Sequence, residues 1–111
     1  MSRDDAPLLD ILRYSDRALR AAHGRRLEEL ERDETLQSLL IHPLLVIGEA
    51  VKGLSAEFRE RHNQIPWTQI AGMRDRLIHA YQRTDWEVVW KSVTEDLPKL
   101  AEFARSQGIK K

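Results

Sequence analysis

The chain has 111 residues, a length that predicts one domain, residues 1–111, with a hydrophobic core of its own. It contains no cysteine, which excludes disulfides and thiolate metal sites. Lys and Arg residues (18) balance Asp and Glu residues (18), and this zero net charge argues against a protein that holds nucleic acid through bulk charge.

Two features bear on where the protein resides. No apolar run approaches the roughly 18 residues that a membrane-spanning helix needs, so no membrane contact is expected. The first residues of the chain are acidic and polar, unlike the start of a secretory signal peptide. Together these features predict a cytoplasmic protein.

The first third of the chain predicts one amphipathic helix and a polar connector. Apolar or small residues recur at helical spacing across residues 8–22, between acidic start signals at residues 4 and 5 and a stop signal at Gly24. Residues 25–34 are rich in Arg and Glu. We expect them to form a short extra helix or connector that buries little.

The middle of the chain carries the strongest apolar periodicity. One stripe of a single helix comprises Leu36, Leu40, Leu44, Ile47, Val51 and Leu54. Pro43 lies inside this helix and is expected to kink or divide it, because proline lacks a backbone donor and clashes with the preceding turn. Glu49 falls opposite the stripe, so we expect it to face solvent or another subunit, as an interface candidate.

Two further helices complete the pattern. Pro66 begins a helix whose apolar side carries Trp67, Ile70, Met73 and Leu77. Thr84 and Glu87 have the spacing of a capping box, which predicts Thr84 as the N-cap of the last helix and an end of the preceding helix between residues 81 and 83. The last helix is expected to kink at Pro98. Its apolar stripe comprises Trp86, Val89, Trp90, Val93, Leu97, Leu100 and Ala104.

The fold class follows from these periodicities. No alternating strand pattern competes with the helical ones, and the connections are short enough to make neighbouring helices antiparallel. The sequence therefore predicts an all-α antiparallel bundle of four main helices with a short extra helix or connector. The three tryptophans lie on apolar faces and are expected in the core.

Positive charge is concentrated in one part of the chain. Residues 59–83 contain five Arg against Glu60 and Asp75, whereas residues 84–104 contain five acids against two Lys. We therefore expect an anion to bind at residues 59–83. Ordinary solvated charge on helix surfaces is the commoner cause of such blocks.

Arg74 to Tyr81 combine three chemical groups within about two helical turns. Arg74 carries a fixed positive charge, His79 titrates near neutrality and Tyr81 offers a hydroxyl. Asp75 precedes His79 by four residues, so its carboxylate can reach and orient the imidazole. This arrangement suits a phosphodiester, with His79 as acid or base and Arg74 on the developing charge. RNA would be the natural substrate, because its 2′-hydroxyl is an internal nucleophile.

The spacing also sets a geometric problem. Arg74 and His79 are five residues apart and point about 140° away from each other on a straight helix, which does not make a pocket. Either the helix unwinds near His79, or two copies of the chain bring their segments together across a twofold axis. We expect the segment at a helix end that faces its symmetry mate.

The plainer interpretations stay open at this point. An Arg and a His at this spacing are more often surface residues, and Tyr81 can equally be a tyrosine at the edge of the core. The other histidines, His23, His42 and His62, have no neighbours in sequence that suggest a metal site.

A resemblance to a known family adds to this reading. Arg74, four intervening residues, His79, one residue and Tyr81 resemble the motif of the HEPN superfamily, and specifically of HepT-like toxins. Residues 47–52, 65–67, 70–74 with 77–79, and 95–98 resemble the same family, and the similarity covers about residues 8–104. The motif alone is weak, but four ordered segments together are specific.

The resemblance implies a function. It implies a HEPN domain that forms a homodimer or a higher assembly, with Arg74 and His79 of both subunits lining a metal-independent endoribonuclease cleft that uses no cofactor. Asp75 and Arg76 would be supporting residues. The chain would be the toxin of a toxin–antitoxin pair, and its partner an MNT-type nucleotidyltransferase antitoxin that transfers AMP from ATP to Tyr81. A bulky anion there would occlude the cleft and compete for its positive charge.

Two other functions remain as alternatives. The first is a non-catalytic HEPN binding module that docks and regulates the nucleotidyltransferase, which the neutral net charge fits. The second is a purely structural helical bundle in which Arg74 to Tyr81 form an ordinary helix surface.

Overall fold

The computed structural model describes residues 3–79 and 85–108, and for Arg76, Ile78 and His79 it describes the backbone alone. Within these ranges the chain is helical and contains no strand. The helices are α1 (Asp5–Ala22), α2 (Leu27–Arg32), α3 (Glu34–Gly53), α4 (Ala56–Arg61), α5 (Trp67–His79), α6 (Trp86–Lys91) and α7 (Leu97–Ser106), with a π-helical turn (Ser92–Asp96) between the last two. The predicted all-α class is confirmed.

Helix α3 is the centre of the bundle. It packs against α1 on one side and α5 on another, while α1 also packs against α7. The six residues of the predicted α3 stripe are at most 1 % exposed, and the predicted apolar side of α5 is buried as well. None of the described helices is both long and apolar enough to cross a membrane.

Pro43 does not divide α3, contrary to one of the two outcomes expected for it. The helix continues from Glu34 to Gly53 with Pro43 buried inside it. Proline leaves the carbonyl of residue 39 without its helical donor. Burial of Leu40 and Leu44 on either side of the proline holds both halves of the helix against the core and offsets that loss.

The N-terminus of α6 lies one residue later than the capping box predicts. Asp85 is the N-cap, and its carboxylate accepts a hydrogen bond of 3.0 Å from the backbone N–H of Glu87. The assignment of the cap to Thr84 is therefore wrong, and Thr84 itself lies outside the described residues. An aspartate is as good an N-cap as a threonine, so sequence alone did not separate the two.

The helix type changes just upstream of Pro98, where a kink is predicted. The chain passes from α6 through the π-helical turn to α7, where Pro98 occupies the first turn. The backbone N–H of Leu97, the first residue of α7, donates to the carbonyl of Ser92 five residues earlier, which is the hydrogen-bond register of a π-helix. Within the turn, the hydroxyl of Thr94 donates to the carbonyl of Trp90 at 2.9 Å.

Two polar stretches between the main helices bury apolar side chains, although the sequence predicts that residues 25–34 bury little. Residues 25–34 contain the predicted short helix, α2, but Leu30 within it is fully buried. The polar stretch after α3 contains a helix that the sequence reading missed, α4, and it buries Phe58 against Trp67 and Phe103. Trp67 is buried as predicted, whereas Trp86 and Trp90 are partly buried against the core.

Candidate active site on helices α3 and α5

Arg74 lies on α5, at the edge of the face that packs against α3. Its neighbours Met73 and Leu77 are buried and fix the rotation of α5 about its axis. The side chain of Arg74 is 34 % exposed. The guanidinium is thus held on a packed helix and still reaches solvent, as a group that binds a large anion must.

Two carboxylates hold the Arg74 guanidinium. The Nε atom lies 3.1 Å from a carboxylate oxygen of Glu49 on α3. The Nη1 atom donates to Oδ1 of Asp75 at 3.3 Å. The first contact joins two helices and the second joins neighbouring residues of one helix.

A second cation from α3 completes the group. The Nζ atom of Lys52 donates to Oδ1 of Asp75 at 3.5 Å, so Asp75 accepts from both Lys52 and Arg74. We call Glu49, Lys52, Arg74 and Asp75 the charged cluster. Its two cations and two carboxylates sum to zero net charge.

The contacts within the charged cluster are exchangeable. Glu49 and Asp75 side chains are 66 % and 56 % exposed, and ion pairs between exposed groups contribute only about 0–1 kcal/mol each. An incoming phosphate oxygen, which forms strong charge-assisted hydrogen bonds with arginine, can therefore compete with the Asp75 carboxylate for the Nη1 side of Arg74 at little cost.

Gly48 sets the distance between the two helices at this point. A Cβ atom built on Gly48 would lie 2.8 Å from Cβ of Arg74 and 3.6 Å from the carbonyl oxygen of Ala71. Real Cβ atoms do not approach other carbon atoms so closely. The missing side chain at Gly48 thus allows α5 to approach α3 until Arg74 meets Glu49.

The structure places the predicted site residues as follows. Arg74 and Asp75 lie together in the charged cluster. Arg76 and His79 belong to α5 by their backbone, and the positions of their side chains lie outside the described part of the chain. Tyr81 lies outside the described residues. The proposed contact of Asp75 with His79 therefore stays a prediction.

The backbone of α5 bears on one of the two predicted ways of bringing Arg74 and His79 together, the unwinding of the helix near His79. The helix is regular from Arg74 through His79, so it does not unwind before His79. The backbone positions of Arg74 and His79 are therefore about 140° apart around the helix axis within one chain.

Glu49 is exposed, as predicted from its position opposite the apolar stripe. Its carboxylate pairs with Arg74 of its own chain, a contact that the sequence reading did not foresee. Its role at a subunit interface stays a prediction.

Gly48 and Lys52 were also missed as members of the site. A glycine in the middle of a long helix costs stability, and such a residue signals close contact with a neighbouring backbone. Lys52 follows Glu49 by three residues, so the two lie on one face of α3. These signals were available in the sequence, but nothing in it identified α5 as the partner.

The fold and the charged cluster define an all-α protein with an arginine-centred polar site between two packed helices. Residues 11–106 match the family model described as ribonuclease HepT-like. The chain therefore belongs to the HepT-like ribonuclease family, in agreement with the resemblance carried by the Arg74–Tyr81 motif.

Individual relatives agree with this assignment. An RNase candidate of Caldanaerobacter subterraneus subsp. tengcongensis is 38 % identical over 90 residues, which cover 81 % of this chain and 80 % of the relative. A ribonuclease HepT candidate of Thermococcus cleftensis is 47 % identical over 68 residues, covering 61 % and 62 %. An RNase candidate of Methanocaldococcus jannaschii is 36 % identical over 93 residues, covering 84 % and 77 %. No solved structure matches the chain.

Proposed function

We propose that this chain is the ribonuclease toxin of a HepT/MNT toxin–antitoxin pair and that it cleaves RNA with Arg74 and His79. The observation that carries the proposal is how the Arg74 side chain is held and exposed. This side chain extends from a packed helix, is 34 % exposed, and contacts the Asp75 carboxylate, which a phosphate can displace. Relatives whose names include RNase or ribonuclease support the same activity.

The reaction requires no group beyond the RNA and protein side chains. A base removes the proton of the ribose 2′-hydroxyl, and the 2′-oxygen forms a bond to the adjacent phosphorus. The bond from phosphorus to the 5′-oxygen breaks, and an acid supplies a proton to that oxygen. The products are a 2′,3′-cyclic phosphate and a free 5′-hydroxyl, and Arg74 stabilises the charge on the phosphorane.

Two copies of the chain would supply both proton-transfer groups. Because α5 is helical from Arg74 through His79, the two backbone positions lie about 140° apart around the helix axis within one copy. A twofold axis beside this end of α5 would set His79 of one copy beside Arg74 of the other, with one imidazole as base and the second as acid. A homodimer is therefore part of the proposal.

The regulatory part of the proposal concerns Tyr81. An MNT-type nucleotidyltransferase would transfer AMP from ATP to the Tyr81 hydroxyl and release pyrophosphate. The new phosphate would compete with RNA for Arg74 and would fill the cleft. Incubation with the partner and ATP should add the mass of AMP to the wild-type chain and not to Tyr81→Phe.

The nuclease activity is tested with the purified chain, free of the partner, incubated with RNA in the presence of a chelator. His79→Ala and Arg74→Ala should each reduce cleavage by about 100-fold or more, the usual contribution of a general acid–base or a charge-stabilising group. An RNA with a 2′-deoxyribose at the cleavage position should stay intact there. Equal residual cleavage by the wild type and His79→Ala would favour the non-catalytic binding module instead.

A further inference from the structure

We infer that Glu49 is a positioning residue for Arg74: it holds the Nε side of the guanidinium so that the remaining donors face the RNA phosphate. The inference rests on the proposed function, in which Arg74 stabilises the phosphorane. It adds a residue on a different helix, 25 positions before Arg74, to the apparatus that the motif defines.

Two carboxylates contact different nitrogen atoms of the guanidinium. Glu49 takes the Nε side at 3.1 Å and Asp75 takes Nη1 at 3.3 Å. An arginine side chain has five N–H donors, and among the described residues the hydrogen bond that Arg74 makes is the one from Nη1 to Asp75. In the described part of the chain, Nη2 has no partner, and its donors are the ones that can meet a phosphate.

The backbone that carries Glu49 is held by packing, while the Glu49 side chain itself is 66 % exposed. Glu49 lies on α3 between residues that are buried in the core, Gly48 and Ala50. The close approach at Gly48 fixes the separation of α3 and α5 at the same level. A carboxylate on a packed helix holds its partner more precisely than one on a loop, which is what orientation of a catalytic arginine requires.

The Glu49 carboxylate is also expected to weaken RNA binding. This unfavourable effect distinguishes a positioning role of Glu49 from an effect of its charge alone. Its negative charge repels the RNA phosphate and weakens binding, whereas its oxygen orients Arg74 for the transition state. Glu49→Gln removes the charge and keeps a polar oxygen of similar reach beside Nε. Glu49→Ala removes both.

The kinetic test compares these two variants with the wild-type full chain on RNA. Glu49→Ala should lower kcat by about tenfold or more without raising KM, because it removes an interaction that matters in the transition state. Glu49→Gln should keep kcat within about threefold of the wild type and lower KM. Glu102→Ala, an exposed glutamate on α7, is the matched control and should change neither constant.

A second measurement does not depend on cleavage. The Nε–H proton of Arg74, observed by NMR, should exchange with solvent faster in Glu49→Ala than in the wild type, while the corresponding proton of Arg105 should not change. If the wild type cleaves RNA no faster than His79→Ala, the proposed nuclease function fails, and the exchange experiment still decides whether Glu49 holds Arg74.

Three results would overturn the inference. They are an Arg74 exchange rate unaffected by Glu49→Ala, an unchanged kcat in that variant, and a loss of kcat that Glu49→Gln does not restore. Thermal unfolding of each variant shows whether the fold is kept, and Glu102→Ala measures the effect of removing an exposed glutamate by itself.

Discussion

Gly48 lies so close to Arg74 that a Cβ atom added to it would come within 2.8 Å of Cβ of Arg74. The obstructing atom is next to the backbone, so a rotamer change cannot relieve the clash. The helices α3 and α5 would have to separate. The position of Arg74 relative to Glu49 and Lys52 therefore depends on the absence of a side chain at residue 48.

Gly48→Ala should both destabilise the fold and reduce RNA cleavage. Overpacking at such a contact costs about 1–3 kcal/mol, and displacement of Arg74 weakens its contact with Glu49. Gly72→Ala is the matched control, because Gly72 lies on α5 and its added Cβ would meet no atom of another described element within 4 Å. That variant should gain about 0.5–1 kcal/mol from the better helix propensity of alanine. Chemical denaturation and cleavage assays check both. Equal stability of the two variants would contradict the close contact at Gly48.

Alanine substitutions at Leu39 and Leu40 test which face of α3 is turned toward the core. Leu40 is fully buried and Leu39 is 52 % exposed. Leu40→Ala should cost about 2–5 kcal/mol, because it leaves a cavity in the core. Leu39→Ala should change the free energy of unfolding by no more than about 0.5 kcal/mol. Urea denaturation of the two variants measures this difference, and similar losses in both would place Leu39 in an interface between copies of the chain.

Asp4 and Ser55 connect the start of α1 with the start of α4. The carboxylate of Asp4 accepts from the backbone N–H of Ser55 at 2.7 Å and from its hydroxyl at 2.9 Å. Asp4→Ala leaves that N–H without its acceptor and should cost about 1–3 kcal/mol, whereas Asp10→Ala, an exposed aspartate of α1, should be nearly neutral. Unfolding curves check the difference. Similar values for the two variants would rule out a stabilising role for Asp4.

The lowered pKa of Asp33 predicts that the stability of the fold depends on pH in the acid range. The backbone N–H of Leu36 and the guanidinium of Arg25 lower the pKa of Asp33 below its ordinary value of 3.8. The unfolded chain therefore binds this proton at higher pH than the folded chain does. The contribution of Asp33 is fully present above the unfolded pKa and is lost as the pH falls through the folded pKa.

Asp33→Asn isolates this contribution. The variant keeps an oxygen that can cap α3 and loses the titrating charge. Its Tm should be lower than that of the wild type at neutral pH, and the two values should converge as the pH falls below about 4. Thermal unfolding followed by circular dichroism from neutral to acid pH provides the comparison. A Tm difference that stays constant with pH would contradict the assignment.

Helix existence and the buried faces could be predicted from sequence because both depend on local patterns. Apolar residues at helical spacing identified the buried side of α3 and α5, and Gly24, with φ of 73°, ends α1 as expected. Helix boundaries were less accurate. Asp85 rather than Thr84 caps α6, and a π-helical turn precedes Pro98. Neighbouring positions for a helix boundary differ by small free energies, so packing decides between them.

The sequence by itself determined the all-α class, the core and the candidate residues Arg74, Asp75, His79 and Tyr81, because helical periodicity and motif spacing are properties of a linear chain. Only the tertiary structure showed that Glu49 and Lys52 of α3 meet Arg74 and Asp75 of α5. That meeting depends on how closely two helices approach and on their rotation about their axes. Gly48 allows the approach, and the buried stripes on both helices set the rotation.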